Sequence, residues 1–224
     1  MSCCMSGKIV NVSPQGDVYT TSCTATGCPH ARSRIVSKAG IPKAFTACSL
    51  DSFTPANTAL RVAQEAARHF IGAVVGSESP WLVYSGPPGV GKTHLGCAII
   101  EHLIDCGIEA RYASLDELFS AGRREVSGVE SGFSERLARI SKAEMLVLDE
   151  LGAGRGTDWE IGVAQDLINS RYSASLSTVF ITNYRVGSGG ASSLEKSGKL
   201  GPHTVSRLRT ARVVEIDSAD WRSQ

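Results

Sequence analysis

The stretch WLVYSGPPGVGKTHLG, residues 81–96, constrains the fold of this chain more than any other. Five residues of strand character run into a glycine-rich loop, and the loop runs into a helix. Gly86, Gly91, Lys92 and Thr93 satisfy G-x-x-x-x-G-K-[ST], in the strand-then-helix context that gives the motif its meaning. The glycines let backbone N–H groups curl around phosphate oxygens, and the helix N-terminus adds a favourable dipole. Gly86, Pro87, Pro88, Gly89, Val90, Gly91, Lys92, Thr93 and His94 are therefore the candidate nucleotide-binding residues. Lys92 would reach the β- and γ-phosphates, and the Thr93 hydroxyl would hold Mg²⁺.

The rest of the chain alternates in a way that suits such a loop. TPANTALRVAQEAARHFIG places Leu60, Ala63, Ala67 and Phe70 at helical spacing behind an opening Thr54-Pro55, and GSESP ends that helix. After the loop, KTHLGCAIIEHLIDCG predicts a helix closed by Gly107, and EARYAS a second strand. Ser114 can cap the helix SLDELFSAGRREV. FSERLARISKA, MLVLDE, DWEIGVAQDLINSRYSA, STVFITN, HTVSRLR and RVVEI then read as helix, strand, helix, strand, short helix and strand. Apolar strands alternating with helices predict an α/β fold, a parallel sheet with helices on both faces. Residues 1–50 carry no sustained period and read as a small Cys-containing module, with the phosphate-loop domain spanning 51–224.

Two further motifs add chemistry. Asp149 closes the apolar run MLVLD at the end of a strand, where ligands gather in open α/β sheets, and can hold Mg²⁺. Glu150 follows it and can polarise a water for in-line attack on a γ-phosphate. A small-molecule kinase must exclude water and needs no such base, so the pair favours hydrolysis. Asn183, at the end of VFITN, can orient the attacking water.

GPPGVGKTHL, MLVLDELG, VFITN and VSRLR, in this order, resemble the AAA+ ATPases. Within them the set is similar to the bacterial replicative helicase loaders of the DnaC/DnaI type, with IstB-type transposition helpers as close relatives. KAGIPKAF and SLDSF ahead of the core share the likeness, which covers the chain from about Ile41 onward. The resemblance implies ATP and Mg²⁺ as cofactors. It implies catalytic roles for Glu150 and Asn183, and for Arg207 as an arginine finger reaching the ATP of a neighbouring copy, with Arg209 as the alternative. Arg222 would sense nucleotide within its own chain. The chain's end shortly after VVEI matches loaders that carry no full C-terminal lid domain. The implied function is loading of a hexameric replicative helicase onto single-stranded DNA. The alternatives are an ATPase helper of a DNA transposase, a small-molecule P-loop kinase and a nucleotide-gated scaffold that binds ATP without turning it over.

Composition narrows the remaining classes. A net charge of +1 argues against bulk electrostatic coating of nucleic acid, so any contact must be local. Arg123 and Arg124 in SAGRREVSG are the candidates for DNA binding, and residues 185–212, with six Lys or Arg against one acid, form a second basic stretch. No apolar run approaches the roughly 20 residues of a membrane helix, and the N-terminus lacks a signal core, so a cytoplasmic protein is expected. Of seven cysteines, Cys4, Cys23 and Cys28, together with His30, are the expected Zn²⁺ ligands of the N-terminal module. Cys48, Cys97 and Cys106 read as small apolar fillers.

Overall fold

The computed structural model describes residues 8–12, 18–22, 29–129, 131–186 and 193–218. Cys4, Cys23, Cys28 and Arg222 lie outside the described residues, as does the side chain of His30. Five strands form one parallel sheet: β3 (Trp81–Ser85), β4 (Ala110–Ser114), β5 (Met145–Asp149), β6 (Ser177–Thr182) and β7 (Arg212–Glu215). Their spatial order is β4-β5-β6-β3-β7. A separate antiparallel hairpin pairs β1 (Lys8–Val12) with β2 (Val18–Ser22), opposing Lys8 to Ser22 and Val12 to Val18.

The period-2 geometry of a strand sends alternate side chains to two cores. Leu82, Tyr84, Met145, Val147, Val179 and Ile181 enter the core shared with α2 (Thr58–Val75) and α3 (Lys92–Asp105). Val83, Leu146, Leu148 and Phe180 enter the opposite core. There they meet α4 (Leu115–Val126), α5 (Phe133–Lys142), α6 (Asp158–Ser173) and α7 (Pro202–Leu208). The expected layering, helices on both faces of a parallel sheet, is what the chain adopts.

Local chemistry sets the helix ends. Ser114 is extended, and its Oγ accepts from Glu117 N at 3.2 Å, the cap expected for α4. Thr157 and Glu160 form a capping box at the start of α6. The helix expected behind Thr54-Pro55 begins later, because Asn57 supplies the cap: its Oδ1 accepts from Leu60 N at 2.9 Å.

The segment before residue 50 has structure that its sequence conceals. Pro29–Ala39 forms α1, which lies on α3. Arg32 donates from Nη2 to Glu101 and from Nε to Asp105, each at 2.6 Å, and Ala39 is buried in the core. Among its described residues, the Arg32 ion pairs, Ala39 and the partly buried Val36 dock this helix. It is joined to the sheet and its helices by packing as well as by chain.

Candidate functional site

Because the strands are parallel, their C-terminal ends share one edge of the sheet. Order matters here: β6 lies between β3 and β5, so the glycine-rich loop and the acidic pair flank the end of VFITN. Leu151 N donates to Ile181 O at 2.8 Å, and Thr182 Oγ1 donates to Leu151 O at 2.6 Å. These bonds pin the turn after the acidic pair to β6, with Asn183 just beyond, exposed on the rim of the site.

The loop turns out of β3 through Gly86 and enters α3 through Gly91, which caps the helix at φ 91°. A Cβ at Gly91 would stand 2.7 Å from Phe53 Cε2 in a left-handed conformation that side chains avoid, so only glycine fits. Lys92 is 5% exposed, and its Nζ donates to Gly86 O at 2.7 Å and to Pro87 O at 2.6 Å. The ammonium is thereby held over the concave side of its own loop. Thr93 Oγ1 donates to Asp149 Oδ2 at 2.8 Å. A hydroxyl and a carboxylate at this separation are hard oxygen ligands of the kind Mg²⁺ accepts alongside phosphate oxygens, so the residues fit that ion.

The acidic pair is fixed from two sides. Asp149 is 4% exposed; its Oδ1 accepts from Glu150 N at 2.7 Å and its Oδ2 from Tyr112 Oη at 2.9 Å. Glu150 adopts φ 58°, and its Oε2 accepts from Ser114 Oγ. Burial, and then the Asp149 charge, push the Tyr112 phenol up, so the hydroxyl remains a donor.

An open cavity of about 1130 Å³ joins these groups. Residues 88–94, Asp149, Glu150 and Asn183 line it together with Phe45, Phe53, Leu60 and Ser218. The apolar segment is fastened by polar bonds. Gln64 Nε2 donates to Leu50 O at 2.7 Å and Phe53 O at 3.1 Å, and Asn57 Nδ2 donates to Ser218 Oγ at 3.0 Å. His94 holds the same segment through contacts to Ser49 O at 3.1 Å and Ser52 Oγ at 3.3 Å. The polar loop and acids suit phosphates, and the apolar residues of the lining suit an aromatic base.

The remaining expected residues lie elsewhere. Arg207, on α7, faces α6: its guanidinium sits 4.9 Å from the centre of the Tyr172 ring and donates to Asn169 Oδ1. It is not among the described residues lining its own cavity. Arg123 donates to the buried Glu160 at 2.5 Å and to Ser120 Oγ at 2.9 Å, so α4 and α6 hold its guanidinium. Arg124 is exposed on the same helix. Among the described residues no group of three or more His, Cys, Asp or Glu is placed to hold a metal, and no helix is long and apolar enough to cross a membrane.

Sequence reasoning missed Tyr112 and Phe53, and it read Ser114 only as a cap. Tyr112 and Ser114 reach the acids through the pairing of β4 with β5, which places Ser114 opposite Asp149. No local spacing encodes that register.

The sheet order and the loop define a P-loop nucleotide-binding domain of the AAA+ class. The family model for the IstB-like ATP binding protein matches residues 46–224, and the chain belongs to that family. It is similar to the replicative helicase loader DnaC of Escherichia coli K12, 24% identical over 177 residues that cover 79% of this chain and 69% of that protein. The DnaC loader of Buchnera aphidicola from Acyrthosiphon pisum is 25% identical over 151 residues, 67% of this chain, and the match spans 61% of that protein's length. Among solved structures, a DnaC helicase loader superposes with a TM-score of 0.65 at 26% identity, over 79% of this chain and all of that one. DnaI superposes with a TM-score of 0.65 at 25% identity, over 79% of this chain and 94% of that one.

Proposed function

We propose that this protein is an ATPase that loads a hexameric replicative helicase onto single-stranded DNA, with ATP hydrolysis as the release switch. One observation carries the reading: Lys92, Thr93, Asp149 and Glu150 line one nucleotide-sized cavity, while Arg207 is not among the described residues that line it. The likeness to DnaC and DnaI supplies the cargo.

In this reading the N–H groups of residues 89–93 and the Lys92 ammonium bind the phosphates, and the apolar lining around Phe53 takes the base. Bound Mg²⁺ would neutralise phosphate charge, held by Thr93 and Asp149. Glu150 accepts a proton from the attacking water, and Asn183 orients that water. Arg207 acts on the nucleotide of a neighbouring copy, and Arg222 on its own. Arg124 contacts DNA phosphates, and Arg123, tied to Glu160, sets the pose of α4. The protein works in the cytoplasm.

The test is reconstitution with the replicative helicase of the same cell and a single-stranded circle, scored by unwinding. The wild type should stimulate loading. Glu150→Gln should bind the helicase and fail to release it, and a wild type that neither binds nor loads it would reject the assignment. The family match to IstB-like proteins favours a second reading, in which the partner is a transposase. Recovery of a transposase in place of the helicase would select it.

A further inference from the structure

Tyr112 has no part in the reading above, yet it touches the residue at its centre. It lies on β4, 9% exposed, and its Oη donates to Asp149 Oδ2. Strand pairing places it there. Tyr112 stands opposite Val147, and Asp149, two residues further along β5, projects to the same face. A phenylalanine would fill the same apolar space, so the hydroxyl is the informative part of the side chain.

The Asp149 carboxylate is held by three donors: Thr93 Oγ1 and Tyr112 Oη on Oδ2, and Glu150 N on Oδ1. An ionised carboxylate offers about four acceptor positions, so roughly one stays open. Two of these donors serve other ends in the proposed chemistry. In that reading the Thr93 oxygen would hold the metal, and Glu150 N belongs to a residue whose own side chain would be the base. Only the phenol is committed to Asp149 alone, and it approaches from a different strand.

We propose that Tyr112 is the positioning residue for Asp149, fixing which carboxylate oxygen turns toward the Mg²⁺ of a bound nucleotide. The proposal rests on the reading of Thr93 and Asp149 as holders of that ion. Donors that orient a ligating carboxylate matter to the metal: losing one typically costs about 10–100-fold in affinity or activity. A buried tyrosine hydroxyl also needs a partner for simple stability, and the experiment must separate the two roles.

Tyr112→Phe keeps the ring and removes the donor. Binding of a fluorescent ATP analogue is followed during Mg²⁺ titration and again in EDTA, for the wild type, Tyr112→Phe, Asp149→Asn and the double variant. The half-saturating Mg²⁺ concentration should rise about tenfold in Tyr112→Phe, with binding in EDTA unchanged. In the Asp149→Asn background, Tyr112→Phe should add nothing. An unchanged or lower Mg²⁺ requirement, or an equal effect in the Asp149→Asn background, would overturn the proposal. A wild type whose binding ignores Mg²⁺ would overturn the metal reading and this proposal together. Indifference of Tyr112→Phe beside a Mg²⁺-dependent wild type would overturn this proposal alone.

Discussion

Glu150 holds a left-handed backbone conformation, φ 58°, that a glutamate adopts only where its surroundings impose it. Here its N–H is tied to Asp149 and its carboxylate to Ser114. Glu150 and Lys92 both line the cavity. Glu150→Gln keeps the shape and the backbone bond and removes the base. Steady-state phosphate release should fall about 10²–10⁴-fold, while binding of a fluorescent ATP analogue stays at the wild-type level. At this scale Lys92, Thr93, Asp149 and Glu150 were legible because their chemistry follows from residue type at fixed local spacing. Tyr112 and Ser114 were not, since they act on β5 from another strand, and Arg123 looked like a surface cation until Glu160 was placed beneath it.

At the scale of elements, Glu160 ties three pieces together. It is 2% exposed, and its Oε2 accepts from the N–H groups of Arg155, Gly156 and Thr157 at 2.8, 2.8 and 3.2 Å, while Oε1 pairs with Arg123 of α4. Burial works against its ionisation, but the backbone donors of Thr157, Arg155 and Gly156, with the Arg123 charge, outweigh it and hold the carboxyl below its usual range. A depressed folded-state pKa stabilises above the unfolded value, about 4.3, and that stability is lost as pH falls through the folded value. Glu160→Gln should therefore be less stable than the wild type at neutral pH by about 1.5–3 kcal/mol. The gap should close as pH falls below the ordinary glutamate range, read by denaturant unfolding at each pH. The core elements were legible because long apolar periods and short strands are local signals. The order β4-β5-β6-β3-β7 was not, because it records which strands pair across the sheet. The ion-paired docking of α1 escaped for the same reason, since Glu101 and Asp105 lie far along the chain from Arg32.

At the scale of the whole molecule the question is whether one copy can complete its own chemistry. The cavity is lined by Lys92, the Thr93–Asp149 pair and Glu150, which in the proposed function should support binding and a basal rate. Arg207 sits on α7 against α6, stacked on Tyr172 and bonded to Asn169, and is not among the described residues that line the cavity. A cation placed there stabilises transferring phosphate only if a second copy brings its cavity to the α6–α7 face. The wild-type rate per molecule should then rise with protein concentration, and Arg207→Ala should stay at the basal rate, on the order of 10³-fold lower at saturation. Mixing gives the sharper measurement. Lys92→Ala cannot hold nucleotide but keeps its arginine, and Arg207→Ala holds nucleotide but lacks one. Each alone should be near inactive, and the two together should recover phosphate release, because one copy supplies the cavity and the other the cation. If Arg207 served its own chain, the mixture would be no better than the sum of its parts.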